Sequence, residues 1–390
     1  MSDYVVLIPL LMAAIAAGWL LGRYRRPAHP LQSQPGRDYY HGLNFLIHNK
    51  TDEAVERFIR VLEINSDTVP AYLALADLFR KKGEYEKAIE LHQTLLARSD
   101  LLHEDFLNIQ ISLAKDYNAV GLLDRAETLL QSVISDNPRD ELRHSARRLL
   151  AKLYEKQLEW DKALNTALKL PDSKRTAVAH EMAHYACQLA DGRLGEQGTD
   201  AESRLKQALK LDPTCVRANL MLAEHRMQRH AWRGAIKHLK EVADQDPLMI
   251  PETVEMLRLC YTELDNVKAY QSYLEQCLGP HPSTTLIVAK AQLLHASQGD
   301  QLAVEYIIDA LKKHPSLRGF NYLISLQLQQ SDVAVKGSLS TLRELTEQLA
   351  QNKPRYRCGQ CGYDSKTLYW QCPSCKTWDS SRPVQGLEGE

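Results

Sequence analysis

The chain has 390 residues, more than the roughly 150 residues of a typical domain, so it predicts several domains or a long repeat array. Its 48 Lys and Arg offset 49 Asp and Glu, which leaves a formal net charge of −1 and argues against nucleic acid as a partner. Apolar residues at 44% and charged residues at 25% exclude a disordered chain and a polytopic membrane protein. The chain contains only 5 Phe and 5 Trp and is rich in residues that favour helices, so its composition favours an all-α fold.

Residues 1–22 are predicted to form a transmembrane anchor. No charged side chain occurs from Tyr4 to Gly22, and a run of about 20 apolar residues spans a hydrocarbon core of about 30 Å. The Arg residues that follow this run favour the cytoplasmic side of a membrane: Arg23, Arg25 and Arg26. We therefore expect a single pass with the bulk of the chain in the cytoplasm. The alternative is a cleaved signal peptide, which needs a positively charged start that Met1 to Asp3 lack.

Residues 23–34 are predicted to be an irregular linker, because the Pro-rich string PAHPLQSQPGR begins within them. After this linker the apolar pattern becomes regular, so we expect the folded part to begin at residue 35.

Residues 35–351 are predicted to form an array of about eight to nine tetratricopeptide repeats. Small residues recur at that repeat's spacing of 34, namely Ala54 and Ala88, and then Ala201, Ala235, Ala269 and Ala303. The string AYLALADLFRKKGEYEKAIELHQTLL reproduces the repeat's order of aromatic, Leu, small and Gly positions. Pro213, Pro247 and Pro315 occupy the closing position, where Pro ends a helix. Such arrays form a superhelix with a concave surface that binds peptides and proteins.

The segment from Asp191 to Asp200 interrupts one repeat with three Gly and no apolar run. This composition predicts an exposed loop. The loop is either an interaction site or a tolerated insertion, since lengthening a loop costs little free energy.

One predicted helix contains H-E-x-x-H, the motif in which two His bind zinc beside a Glu base in metallopeptidases. In the repeat register Met182 and Ala183 take buried positions. The remaining members, His180, Glu181 and His184, are then expected to face the groove or solvent. The neighbouring sequence offers no third ligand. We therefore interpret the motif as an ordinary polar helix face, with a zinc peptidase as the alternative.

The eight Cys fall into two sets. Four occur singly on predicted helices and are expected to be reduced thiols: Cys187, Cys215, Cys260 and Cys277. The other four form C-x2-C-x10-C-x2-C: Cys358, Cys361, Cys372 and Cys375. Two such knuckles present four thiolates to one tetrahedral ion, iron or zinc. Because so short a segment needs a metal to fold, we predict a metal-binding domain at residues 354–382 and a tail at 383–390.

Disulfides are the alternative for these four Cys, but they require an oxidising compartment, which conflicts with the predicted cytoplasmic location. The knuckle domain also carries several aromatic residues, which we expect to form a miniature core or a docking surface against the helices: Tyr363, Tyr369, Trp370 and Trp378.

The knuckles CGQCGY and CPSC resemble those of rubredoxin. They differ from rubredoxin in the gap of ten residues between them and in Lys376, where Gly is usual. The full combination of an anchor before Arg23, repeats around residues 71–95 and terminal Cys knuckles resembles the lipopolysaccharide assembly protein B family of bacteria. This resemblance covers essentially the whole chain.

The resemblance implies an inner-membrane protein of Gram-negative bacteria with a periplasmic N-terminus. It implies an adaptor rather than an enzyme, which promotes degradation of the committed-step deacetylase of lipid A synthesis by an FtsH-type membrane protease. Lipopolysaccharide and other inner-membrane assembly proteins are further implied partners. The resemblance also assigns the four knuckle Cys as ligands of one ion. The alternatives are a zinc peptidase and a rubredoxin-like electron-transfer protein.

Overall fold

Antiparallel helices make up most of the computed structural model, which describes residues 37–48, 50–64, 69–136, 139–191, 199–330, 333–351 and 353–390. The predicted anchor at 1–22 and linker at 23–34 lie outside the described residues, as does most of the predicted loop from Asp191 to Asp200. Among the helices that are described, none combines the length and the apolar character needed to cross a membrane.

The chain divides into two units, Met1–Ala146 and Arg147–Glu390. The helices of the first unit are α1 (Arg37–Ile47), α2 (Thr51–Ile64), α3 (Val69–Lys82), α4 (Tyr85–Leu96), α5 (His103–Ala119) and α6 (Leu123–Ser135). They pack as the successive pairs α1 with α2, α3 with α4, and α5 with α6. Helix α7 (Asp140–Lys156) begins in the first unit and ends in the second.

The second unit continues with further helical pairs. Its helices are α8 (Trp160–Leu168), α9 (Asp172–Arg175), α10 (Ala179–Asp191), α11 (Thr199–Leu211), α12 (Val216–Gln228), α13 (Trp232–Gln245), α14 (Pro251–Glu263), α15 (Val267–Leu278), α16 (Thr284–Gln298), α17 (Asp300–Lys313), α18 (Leu317–Gln330) and α19 (Val333–Gln351). Short 3₁₀ turns occupy Thr176–Val178 and Pro247–Met249. The prediction of helical tetratricopeptide pairs is confirmed for the described residues.

The residues that revealed the repeat are the ones that let the helices approach closely. Ala54, Ala88, Ala201, Ala235 and Ala303 are at most 1% exposed, because a larger side chain at such a crossing would push the helices apart. The remaining predicted position, Ala269, is half-buried. Each of the three Pro at the predicted closing position follows the last residue of a helix by two positions: Pro213, Pro247 and Pro315.

Tight turns within the pairs need a left-handed residue. Gly83 and Gly121 adopt φ values of 82° and 83° there, a conformation that glycine takes without steric cost. The corresponding turns at Leu158, His230 and Asp265 have φ values of 62°, 55° and 50° without glycine. The repeat geometry therefore persists where the sequence lacks the glycine signal.

Each unit has its own apolar core. In the first unit a cluster around Phe58 and Leu78 joins α2 to α3, and a buried Asp116 accepts hydrogen bonds from His92 and Arg80. In the second unit one apolar cluster surrounds Leu239 and Leu257.

After α19 the chain forms a three-stranded antiparallel sheet in the order β2-β1-β3. Its strands are β1 (Tyr356–Cys358), β2 (Asp364–Ser365) and β3 (Ser381–Pro383). The central strand β1 pairs Tyr356 with Ser365 on one side and with Pro383 on the other. We call residues 354–382 the metal domain.

The predicted tail at 383–390 packs on the helices. The carbonyl of Leu387 accepts from the amide of Leu317 at 2.9 Å. The Glu390 carboxylate accepts from the amide and the hydroxyl of Thr285 at 2.8 and 2.7 Å and pairs with Arg318 at 2.5 Å. These contacts tie the end of the described chain to α16 and α18.

Candidate metal centre and its docking surface

The four Cys of the knuckles converge on one point. Their sulfur atoms all lie within 4.8 Å of one another, with 3.7 Å between Cys358 and Cys375 and 3.7 Å between Cys361 and Cys372. Four sulfurs at ~2.3 Å from a central ion in a tetrahedron would be about 3.8 Å apart. The donor set therefore fits one tetrahedral ion, and the chain binds one such ion through these thiolates.

The two knuckles have the same backbone hydrogen bonds. In each knuckle, the backbone amide of the first Cys donates to the carbonyl of the residue five positions later. The amide of the residue four positions later donates to the carbonyl of that same Cys. The pairs, donor first, are Cys358 to Tyr363 at 2.9 Å, Gly362 to Cys358 at 2.9 Å, Cys372 to Thr377 at 3.0 Å and Lys376 to Cys372 at 3.0 Å. Each knuckle is thus a preformed turn that presents two sulfurs.

This shared geometry accounts for Lys376. Gly362 closes the first knuckle with φ of 76°, and Lys376 closes the second with φ of 58°. A non-glycine residue in the left-handed region costs roughly 1–2 kcal/mol. Lys376, where rubredoxin has Gly, therefore leaves the conformation of the knuckle unchanged and only raises the free energy needed to form it.

Local donors favour the thiolate form that a metal requires at two of the four Cys, whereas burial raises the pKa of Cys372 to about 11. Burial disfavours the Cys358 thiolate, but the Ser380 hydroxyl and knuckle amides outweigh it and lower the pKa of Cys358 to about 6. The Ser380 oxygen lies 3.2 Å from that sulfur. The pKa of Cys375 is also lowered, chiefly by the hydroxyl and amide of Thr377. With all four positions taken by sulfur, the ion has no open coordination site, as in structural rather than catalytic zinc centres.

Glu155 at the end of α7 anchors the metal domain to the helices. One carboxylate oxygen accepts from the Gln371 amide at 2.7 Å and from the Trp378 indole N–H at 3.0 Å. The other oxygen accepts from the Tyr185 hydroxyl of α10. Burial and the nearby carboxylate raise the pKa of Tyr185, so its hydroxyl stays protonated and donates. Glu155 therefore joins two helices to the metal domain.

Trp378 forms the apolar centre of this docking surface. It is only 6% exposed and stacks on His184, with ring centroids 4.6 Å apart and an interplanar angle of 12°. Trp160 of α8 meets its edge at 6.0 Å. Trp370 also packs against the helical core, whereas Tyr363 and Tyr369 are about 40% exposed. The docking prediction is thus confirmed for the two Trp and wrong for the two Tyr.

Three further polar contacts hold the domain along its length. Glu252 of α14 accepts from the Tyr356 hydroxyl at 2.8 Å and from Arg355 at 3.1 Å. Arg382 pairs with Asp246 at 2.7 Å. The docked surface therefore reaches from α7 to α14.

The H-E-x-x-H segment lies only partly under this surface, since the His180 side chain is 43% exposed. Met182 and Ala183 are fully buried, as predicted, but His184 is also 0% exposed. Its Nε2 lies 3.0 Å from Oδ2 of Asp379, so a third potential ligand is present. The expectation for His184 was wrong because a docked domain far along the chain covers this helix.

Glu181, the base of the peptidase motif, lies apart from that cluster. It lines a small cavity with Arg148, Lys152 and Tyr185. In zinc peptidases the Glu acts on the water bound to the ion, whereas here His180 and Asp379 line a different cavity. The arrangement disfavours peptidase chemistry.

Sequence reasoning found the four sulfurs and the two docking Trp residues, but not the acidic residues that hold the metal domain on the helices. Glu155, Glu252 and Asp379 carry no spacing signature, since each finds its partner only after the chain has folded back. The one available signal was Trp378, a large aromatic residue in a segment too short to bury it alone.

Comparison with known proteins agrees with both parts of this architecture. A family described as a rubredoxin metal binding domain matches residues 356–383, and tetratricopeptide repeat families match residues 71–104 and 195–250. Lipopolysaccharide assembly protein B of Escherichia coli strain K12 is 33% identical over 389 residues, covering 98% of this chain and 99% of that protein. Lipopolysaccharide assembly protein B of Haemophilus influenzae is 34% identical over 395 residues, with the same coverage. The similarity thus extends along the whole chain.

Proposed function

Because the chain belongs to the lipopolysaccharide assembly protein B family, we propose that it acts in lipopolysaccharide assembly as a non-catalytic adaptor. The observation that carries this proposal is the 33% identity to the Escherichia coli protein of that name along 98% of the chain. Helical pairs of this type bind other proteins, and an ion held by four thiolates, without an open position, suits a structural role.

We further propose that the adaptor controls the amount of lipopolysaccharide through proteolysis. It would bring the committed-step deacetylase of lipid A synthesis to an FtsH-type membrane protease, which cuts it. Lipopolysaccharide or another inner-membrane assembly protein would regulate this delivery. The apolar run from Tyr4 to Gly22 supports a location at the inner membrane, with the N-terminus periplasmic and the bulk of the chain on the cytoplasmic side. A tether there raises the effective concentration of adaptor near membrane-bound partners.

The docked metal domain suits such a role. Its contacts with α7, α10 and α14 cover part of the helical surface, so the ion fixes which helix faces remain open to a client. An electron-transfer protein would instead require iron that changes its redox state. A peptidase would require Glu181 beside a bound metal.

The test is the half-life of the deacetylase in cells depleted of this protein and then supplied with variants. We expect depletion to lengthen the half-life, and we expect the wild type and Glu181→Gln to restore it. Cys358→Ser combined with Cys361→Ser is expected to fail. An unchanged half-life on depletion contradicts the proteolysis proposal, and failure of Glu181→Gln alone returns the peptidase to consideration.

A further inference from the structure

Three donor atoms meet where α10 touches the metal domain. Nε2 of His180 and Nε2 of His184 lie 3.4 and 3.0 Å from Oδ2 of Asp379, and one ligand atom from each residue falls within 4.8 Å of the others. Ligand atoms around a tetrahedral zinc at about 2.0–2.1 Å are about 3.3 Å apart. We propose that His180, His184 and Asp379 form a second metal site, which binds a zinc-class divalent ion and joins α10 to the metal domain.

An outer carboxylate orients one of the two imidazoles. Nδ1 of His180 lies 2.8 Å from Oδ2 of Asp212, and Asp212 is itself held by the amide and hydroxyl of Thr214 at 2.9 and 2.6 Å. A proton on Nδ1 that is donated to Asp212 leaves the lone pair on Nε2, the atom nearest Asp379. Metal-binding His residues are commonly oriented by a carboxylate in this way.

The other donors are buried and incompletely satisfied. Both ring nitrogens of His184 and Oδ1 of Asp379 are buried without a hydrogen-bond partner, and among the described residues the one polar contact of His184 Nε2 is its 3.0 Å approach to Oδ2 of Asp379. A buried polar atom without a partner costs about 1–3 kcal/mol. An ion bound by Nε2 of His184 and by Asp379 would remove part of that cost.

The charges around the cluster also suit a cation. Asp379 and Asp212 place two carboxylates beside the two imidazoles. Arg382 lines the same cavity, but it pairs with Asp246 at 2.7 Å. Arg217 pairs with Asp191 at 3.3 Å.

A route to the site is present. His180 and Asp379 line a cavity of about 280 Å³ together with Trp370, Trp378 and Arg382. The cavity leaves room for a water as the fourth ligand, since one water occupies about 30 Å³. With Glu181 outside this cavity, the ion would clamp two elements and would not hydrolyse a peptide.

The test counts ions in the purified full-length protein. After equilibrium dialysis against zinc, mass spectrometry of the metal content is expected to give two ions per chain in the wild type. His180→Ala and Asp379→Asn are expected to give one. Both replacements are suited to a folded protein, because the His180 side chain is 43% exposed and Asn matches Asp in shape. His295→Ala removes a comparable His–Asp pair on α16 and is the matched control, for which we expect two.

Cobalt distinguishes the two sites, because a site of four thiolates gives sulfur-to-metal charge-transfer absorption that a site of two imidazoles and a carboxylate lacks. In the wild type a second equivalent should add visible absorption without charge transfer, and Asp212→Asn should weaken its binding about 10- to 100-fold. One ion per wild-type chain, counting iron and zinc together, overturns the proposal. So does a second ion that persists in both His180→Ala and Asp379→Asn.

Discussion

Replacing Glu155 by Ala tests whether a single carboxylate holds the metal domain on the helices. The change removes the acceptor shared by Tyr185, Gln371 and Trp378. Tyr185 and Trp378 are 2% and 6% exposed, so their donors would lose their partner without gaining water. Gln371 is half-buried and can turn to solvent.

The magnitude follows from those two buried donors. Each costs about 1–3 kcal/mol when left without a partner, so we expect the docked state to lose about 2–6 kcal/mol. The population of undocked molecules should then rise at least about 30-fold. Glu155→Gln keeps a carbonyl acceptor for Gln371 and Trp378, so we expect it to lose less than half as much.

Hydrogen exchange of residues 353–390 in the zinc-loaded protein measures this undocking directly. The matched control is Glu255→Ala on α14, since Glu255 forms only an exposed pair with Arg258 and such pairs contribute about 0–1 kcal/mol. If Glu155→Ala exchanges no faster than Glu255→Ala, Glu155 is not the anchor and the docking account is wrong.

Three further perturbations test the bound metal, the turn of the first knuckle and the protonation of His184 in turn. Zinc removal, or Cys358→Ser with Cys361→Ser, is expected to unfold residues 354–382. The helix signal in circular dichroism should be mostly retained, because repeats couple mainly to their neighbours. A global loss of helix would contradict this. Gly362→Ala should lower the stability of the metal domain by about 1 kcal/mol. A Cβ there meets nothing within 4 Å, so only the backbone φ of 76° opposes the change. Calorimetry that finds no change in stability would refute this reasoning. Lowering the pH below about 6.5 should weaken docking, because the lowered pKa of His184 means that the undocked chain takes the proton first. Protection factors of residues 353–390, which correct for the pH dependence of intrinsic exchange, should fall; constant protection from pH 7 to 5 would show that His184 does not titrate in this way.

The helical pairs and the four sulfurs were predictable because their signals are local. Ala88 and Ala235 mark close helix crossings at a fixed period, and Cys358 with Cys361 forms a knuckle from adjacent residues. Both patterns depend on chain geometry over a few residues, so the sequence alone carries them.

The docking surface was predictable only in its two Trp residues, because its polar contacts join positions far apart in the chain. The H-E-x-x-H helix is an informative case. Sequence reasoning placed His184 at a groove or in solvent, but Trp378 and Asp379 cover it. Only the packing of the metal domain on α10 reveals a third donor there. At Lys376, in contrast, the sequence departs from the usual glycine but the turn keeps the backbone geometry expected of glycine.

In the proposed function, this chain delivers a client to a protease and does not cut the client itself. The most direct measurement is deacetylase degradation in proteoliposomes that contain the purified FtsH-type protease, with and without this protein. We expect faster degradation when the protein is added, no cleavage when the protease is omitted, and loss of the acceleration with Cys358→Ser and Cys361→Ser. Equal rates with and without the protein would contradict the claim, as would cleavage in the absence of the protease.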